Sequence, residues 1–207
     1  DGPSFSTGLD LRLIQPGGVP GEISFVEIAG YDKAQLDGHV AAAQAAFSWL
    51  RRPEFVSIAV VQGHAVGAGF QLALACDLRV VADDVQFCMM EVRLGMVPDL
   101  GGSKPLVELV GVSRALELCL TARRVGAVEA LAIGLATSVA SRSELDASVA
   151  DLVASLLATP HDAAIATKEL LRAAAARSAD EQLEAELRAQ VKRLRVLFGN
   201  NGEGDAR

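Results

Sequence analysis

Over 36–50 the apolar residues Leu36, Val40, Ala43, Phe47 and Leu50 recur at helical spacing, and Arg51-Arg52-Pro53 closes the run. One amphipathic helix is predicted there. The period then changes. Residues 55–61 (Phe-Val-Ser-Ile-Ala-Val-Val) are short, β-branched and bounded by Pro53 and Gly63, which predicts a buried strand. Residues 78–82 predict a second strand and 87–91 a third, with Asp83-Asp84 as the turn between them. Gly63-His64-Ala65-Val66-Gly67-Ala68-Gly69 reads as a turn that feeds a helix over 70–76, and Gly95 with Pro98-Asp99-Leu100-Gly101-Gly102 marks another loop. Strands alternate with helices, so crossover units are expected.

Beyond Gly111 the pattern is almost wholly helical, with helices predicted over 112–121, 127–134, 143–158, 162–176 and 179–198. Ser143, with Asp146 three residues later, approaches a capping box. Leu183, Leu187, Val191, Leu194 and Phe198 form a stripe that suits packing within the chain's own domain and equally a contact between subunits. At the other end, residues 1–13 look like a strand end and a tight turn with no strand before them, so a segment upstream is expected. Residues 14–30, with Pro16, Gly17, Gly18, Pro20 and Gly21, read as a mobile loop of the kind that covers a site. The polar tail over 199–207 is expected to fray.

Composition narrows the class. A chain of 207 residues, 51% hydrophobic and 22% charged, can bury one large core. With aromatics at only 4%, Ala, Val and Leu must fill that core, which favours helices packed closely on a buried sheet, an α/β or α+β protein. A net charge of −7 and a pI near 5.0 argue against nucleic acid or an anionic membrane as partner. No apolar run reaches the length of a membrane span and no signal-peptide pattern opens the chain, so a cytoplasmic location is expected. Cys76, Cys88 and Cys119 are widely spaced in apolar sequence and read as reduced core residues. His39, His64 and His161 stand at no metal-ligand spacing, so no metal is expected.

The candidate chemistry begins with glycine. A glycine-rich turn between a buried strand and a helix presents backbone N–H groups at the positive end of the helix dipole, which suits an anion or a developing oxyanion. Gly67-Ala68-Gly69 is such a turn, although glycines that merely ease a tight connection are the commoner case. Phe5-Ser6-Thr7-Gly8-Leu9-Asp10-Leu11 supplies a second glycine-opened peptide, and two donors converging on one oxygen make an oxyanion hole.

Taken with the run from Gln62 to Asp77 and the segment holding residues 87–91, Gly95, Pro98, Asp99 and Gly101-Gly102, these blocks stand in the order found in crotonases, and residues 5–140 resemble that family of enoyl-CoA hydratases and isomerases. The resemblance implies an α/β fold built as a spiral of ββα repeats over 1–140, followed by a C-terminal helical segment over 141–207 used in trimers or hexamers. It also implies that the strand–helix–strand preceding the first motif in relatives lies outside this sequence. The substrate would be an acyl-CoA thioester, with coenzyme A part of the substrate and no further cofactor. The N–H groups of Leu9 and Ala68 would grip the thioester carbonyl, and Gly8, Asp10, Gly67, Gln71 and Gly101 would line the substrate.

Proton transfer beside that carbonyl needs a carboxylate of raised pKa. Glu91 matches one catalytic glutamate of the hydratases, whereas the position of the other is Gln71, an amide that can orient a water or a carbonyl but cannot act as a base. Asp99 matches an aspartate that isomerase-type relatives use to shuttle a proton. Taken singly, Glu91 reads as a strand-end carboxylate and Asp99 as a turn cap, and only the match of all three blocks makes them candidates. Met89, Met90, Val92, Leu94 and Met96 around them suit an acyl pocket or plain core. Isomerisation of a double bond is the leading expectation. Hydration, binding of acyl-CoA without turnover, and another thioester reaction on the same oxyanion hole remain alternatives.

Overall fold

The computed structural model describes residues 2–15 and 18–199. Helices α1 (Phe25–Ala29) and α2 (Lys33–Ser48) precede a set of short strands that leave one another at once for different sheets. β1 (Ile58–Val61) and β2 (His64–Val66) are separated only by Gln62 and Gly63, and α3 (Ala68–Ala75) follows. The chain then repeats the move with β3 (Leu78–Ala82) and β4 (Gln86–Cys88). β3 lies parallel to β1 with Val81 opposite Val61, and β4 parallel to β2 with Phe87 opposite Ala65. Each ββα turn of the spiral thus adds one strand to each of two sheets, as the resemblance implied.

After α4 (Ser103–Val110) and α5 (Val112–Thr121), β5 (Val125–Gly126) pairs antiparallel with β4. α6 (Ala127–Ala132) leads to β6 (Ser138–Ala140), which extends the first sheet parallel to β3. Val61, Ala65, Phe70, Leu74, Val81, Phe87, Leu106, Leu118 and Leu135 form one buried core between sheets and helices. The Phe70 and Phe87 rings meet at 5.0 Å. Arg79 on β3 is buried, and its guanidinium donates to the carbonyls of Leu135 at 2.6 Å and of Cys76 at 2.9 Å at the end of α3. The bond to Cys76 places the cation at the C-terminal, negative end of α3.

Contacts divide the described residues into two compact units, one drawn from residues up to Arg52 and Val56–Asp151, the other from Pro53–Phe55 and residues from Leu152 onward. The first holds both sheets. The boundary falls within α7 (Leu145–Leu157). In the second unit α8 (His161–Ala174) and α9 (Ala179–Phe198) pack together, Arg193 pairs with Asp162 at 2.8 Å, and Lys168 donates to Phe55 O at 2.6 Å. Among the described residues no single helix is long and apolar enough to cross a membrane.

Several expectations are corrected. The loop over 14–30 contains α1, because Ser24 and Glu27 close a full capping box around its first turn. Pro16 and Gly17, and the tail over 200–207, lie outside the described residues. His64–Val66 is a strand rather than a turn, held by Ser6 N–H donating to His64 O at 2.9 Å and Val66 N–H donating to Ser6 O at 3.0 Å. The third strand ends at Cys88, and Glu91 opens a 3-10 turn over Glu91–Leu94 that the left-handed Gly95 terminates. Leu183, Leu187, Val191, Leu194 and Phe198 on α9 are all exposed.

Candidate active site

Residues 5 and 6 run alongside β2 as an extra parallel rung, so the first glycine turn is delivered to the end of β2 where the second begins. Gly8 has φ +85°, and a Cβ there would stand 2.6 Å from Val66 O, so a side chain is excluded by both conformation and space. The same Cβ position is 3.9 Å from Ala68 N. The Gly8-Leu9 peptide and the start of α3 are therefore neighbours. Ala68, Gly69 and Phe70 open that helix and have no carbonyl one turn back, whereas Gln71 N–H donates to Gly67 O at 2.9 Å. Gly67, at φ +52°, turns the chain into α3 while its N–H is pinned to Cys88 O at 2.9 Å.

That bond joins the oxyanion-type turn to the end of β4, and three residues on lies Glu91. A Cβ on Gly67 would be 3.5 Å from Glu91 Oε1 and 3.9 Å from Oε2, so the carboxyl lies directly over the turn. Glu91 is only 7% exposed. Its Oε1 accepts from Gln71 Nε2 at 2.6 Å, and Oε2 is buried without a hydrogen-bond partner among the described residues. Burial, more than any other influence, pushes its pKa up; its own backbone N–H and the Gln71 amide pull it down, and the charge of Asp99 adds to the rise.

Gln71 is 1% exposed. Its Oε1 accepts from Leu100 N–H at 2.9 Å and Gly102 N–H at 3.3 Å, so the loop carrying Asp99 is tied to the helix carrying Ala68. Asp99 itself is exposed, and its backbone oxygen accepts from Gln44 Nε2 on α2 at 2.8 Å. Gly101, at φ +81°, lies in the same loop.

The sequence-named residues Gly8, Gly67, Ala68, Gln71 and Glu91 thus come together, with Leu9 adjoining Gly8 and Asp99 close enough for its charge to act on Glu91. Asp10 turns aside: exposed, it caps the 3-10 turn Leu11–Ile14 and pairs with Arg12 at 2.5 Å, and that hydrogen bond holds its carboxyl at about 2. His64 Nε2 accepts from Arg124 Nη1 at 2.8 Å and Nδ1 faces Ser4 Oγ, outside the cluster. Sequence reasoning missed the backbone donors of Leu100 and Gly102; a buried glutamine beside a Gly-Gly loop was the available signal. Among the described residues no group of His, Cys, Asp or Glu gathers as a metal site.

The sequence model of the enoyl-CoA hydratase/isomerase family matches residues 24–197. Carnitinyl-CoA dehydratase of Salmonella typhi is 42% identical over 116 residues, covering 56% of this chain and 44% of that protein. The peroxisomal Delta(3,5)-Delta(2,4)-dienoyl-CoA isomerase of Arabidopsis thaliana is 36% identical over 150 residues, covering 70% of this chain and 52% of that one. The chain therefore spans about half the length of these curated relatives. Among solved structures, a protein of Thermobifida fusca YX assigned as an enoyl-CoA hydratase, in complex with CoA, superposes with a TM-score of 0.88 at 53% identity. That match covers 95% of this chain and 74% of its counterpart. A further structure of an assigned enoyl-CoA hydratase from the same organism holds acetoacetyl-CoA.

Proposed function

The chain belongs to the enoyl-CoA hydratase/isomerase family, and from that premise we propose that it is an enzyme that moves a double bond along an acyl-CoA thioester, using Glu91 for proton transfer. The observation that carries this reading is the Glu91 carboxyl, buried over the Gly67-Ala68 turn with Oε2 unpartnered among the described residues. The thioester carbonyl sits between the N–H groups of Leu9 and Ala68. Ionised Glu91 removes a proton from C2 of a 3-enoyl thioester, the electron pair passes to the carbonyl oxygen, and the two N–H groups stabilise the resulting dienolate. Such donors are each worth about 10²–10³ in rate because their strength grows with the charge.

Glu91 returns that proton at C4, directly or by passing it through Asp99, which completes the shift to the 2-enoyl thioester and leaves both carboxylates as they began. The reaction is redox-neutral and its base and oxyanion donors come from the chain, so coenzyme A enters only as part of the substrate. Gly8 and Gly67 shape the oxyanion hole and Gly101 borders the bound thioester, while Asp10 stays turned aside in its pair with Arg12. Hydration is the second reading, favoured by the hydratase assignment of the Thermobifida fusca protein. It asks more of the site, because position 71 offers an amide where a second carboxylate would activate water.

The reading extends to a homotrimer or hexamer, supported by the exposed stripe on α9, and to a reducing, cytoplasmic setting. The latter is supported by three unpaired cysteines whose thiols burial pushes up. The test is incubation with crotonyl-CoA and, separately, with a 3-enoyl-CoA, following 2-enoyl thioester absorbance. A gain with the 3-enoyl substrate alone supports isomerisation. A loss with crotonyl-CoA replaces it with hydration, and silence with both, accompanied by CoA-thioester binding, replaces it with a binding protein.

A further inference from the structure

The buried amide of Gln71 has its orientation fixed by its neighbours. Leu100 and Gly102 present backbone N–H groups, which only donate, so the end of the amide facing them is its oxygen. The other end is then the NH2 group, and it donates to Glu91 Oε1 at 2.6 Å. An oxygen that receives this N–H cannot hold a proton directed back at it. A carbonyl oxygen accepts far more strongly than a carboxylic hydroxyl, so this bond favours the neutral Glu91 with its proton on Oε2, the atom that, when Glu91 is ionised, has no partner among the described residues.

We propose that Gln71 is a positioning residue for Glu91, which designates Oε2 as the one oxygen through which a proton enters and leaves, while clamping the loop of Leu100 and Gly102 beside it. The proposal rests on Glu91 being the proton-transfer group. A glutamate at position 71 would place a second carboxyl at hydrogen-bond distance, and the pair would share a proton lying between them, on the Oε1 side. The amide abolishes that sharing. It leaves a single carboxyl whose proton has one location, which suits removing and returning one proton on a substrate rather than splitting a water between two carboxylates. The clamp is close: a Cβ on Gly102 would stand 2.8 Å from Gln71 Cγ.

The other groups acting on or near Glu91 are Asp99, whose charge raises it, and the thiols of Cys88 and Cys119, which feel its charge. Arg93 and Arg124 bear on Cys88.

The test compares the parent chain with Q71E and Q71M by three measurements: carbon-13 titration of the Glu91 carboxyl, assigned from its loss in Glu91→Gln; amide hydrogen exchange at Leu100 and Gly102; and the pH profile of kcat/KM. In Q71M the loss of the donor moves the Glu91 midpoint upward, and both loop amides exchange at least tenfold faster. In Q71E the new carboxylate still accepts from the loop, so the amides stay protected. There Glu91 titrates in coupled steps displaced by about one pH unit or more, and the acid limb of kcat/KM moves with it. A Q71E titration and pH profile superposing on the parent's would overturn the proposal and leave Gln71 a strut for the loop. Absence of turnover in the parent would remove Glu91's catalytic role instead, with the titrations still reporting whether Gln71 governs its proton.

Discussion

The buried Glu91 carboxyl ties the stability of the fold to its protonation state. One of its oxygens is unpartnered among the described residues, and burial raises its pKa above the ordinary 4.5. Between 4.5 and the raised midpoint the folded chain binds a proton that the unfolded chain has released, so this residue makes stability fall as pH rises through that window. Above the window the buried charge is a standing cost. Glu91→Gln keeps the shape and an acceptor for Gln71 while removing the charge, so its Tm at pH 7 should be no lower than the parent's, as calorimetry would show. Its turnover should drop by about 10²–10⁴, the usual contribution of a positioned acid or base. With Glu91 as the proposed base, the same raised midpoint is expected to set the acid limb of kcat/KM. The base must be ionised, so activity falls as pH drops through the midpoint, and a profile flat from neutrality down to 4.5 would argue against Glu91 as base. Gly8→Ala offers a second probe. With φ at +85° and Val66 O at 2.6 Å from the new methyl, it should destabilise by about 1–3 kcal/mol and cut kcat by about 10²-fold as the Leu9 N–H shifts.

At the scale of elements, the spiral depends on how α3 ends as much as on how it begins. Arg79 on β3 gathers the carbonyls of Cys76 and Leu135, tying the exit of the helix to the strand below it. Arg79→Met retains the buried stem and leaves those carbonyls without the donor, so a loss of about 2 kcal/mol or more is expected in urea unfolding, from charge-assisted bonds removed in a dry site. Long, strongly patterned pieces are legible in the amino-acid sequence: β3, α5 and α9 coincide with their predicted spans, and α2 nearly so. β2, at three residues between glycines, has too few positions to show a period, and β5, at two, has fewer still. Its partners in space decide that His64–Val66 is extended. The site divides the same way. The glycine turns at Gly8 and Gly67-Ala68-Gly69 announce themselves by residue type and position, whereas the roles of Ala68 and Glu91 are implied by the resemblance to crotonases. That Gln71 would bridge Glu91 to Leu100 and Gly102 could not be read in the same way, since it depends on which end of an amide faces which neighbour.

For the whole molecule, the apolar residues left in solvent are the informative ones. Leu183, Leu187, Leu194 and Phe198 on α9 are 65%, 63%, 45% and 70% exposed, at a spacing that makes one face of a twenty-residue helix apolar. Leu116 and Leu120 on α5 are likewise exposed. Scattered exposed leucines need no explanation, but a continuous helical face of them marks an interaction surface. A second copy of the chain is the partner proposed for this face. The resemblance to crotonases implies trimers or hexamers, so light scattering after gel filtration is expected to give a mass of three or six chains rather than the 21.6 kDa of one. Leu187→Glu with Leu194→Glu should return it to a monomer, because each carboxylate would have to be desolvated in the contact without a partner. The intended substitutions lie on the exposed face, so helical content by circular dichroism should stay within error of the parent. A parent mass of one chain would assign the stripe to a different partner, and an oligomer surviving both glutamates would move the contact to another face.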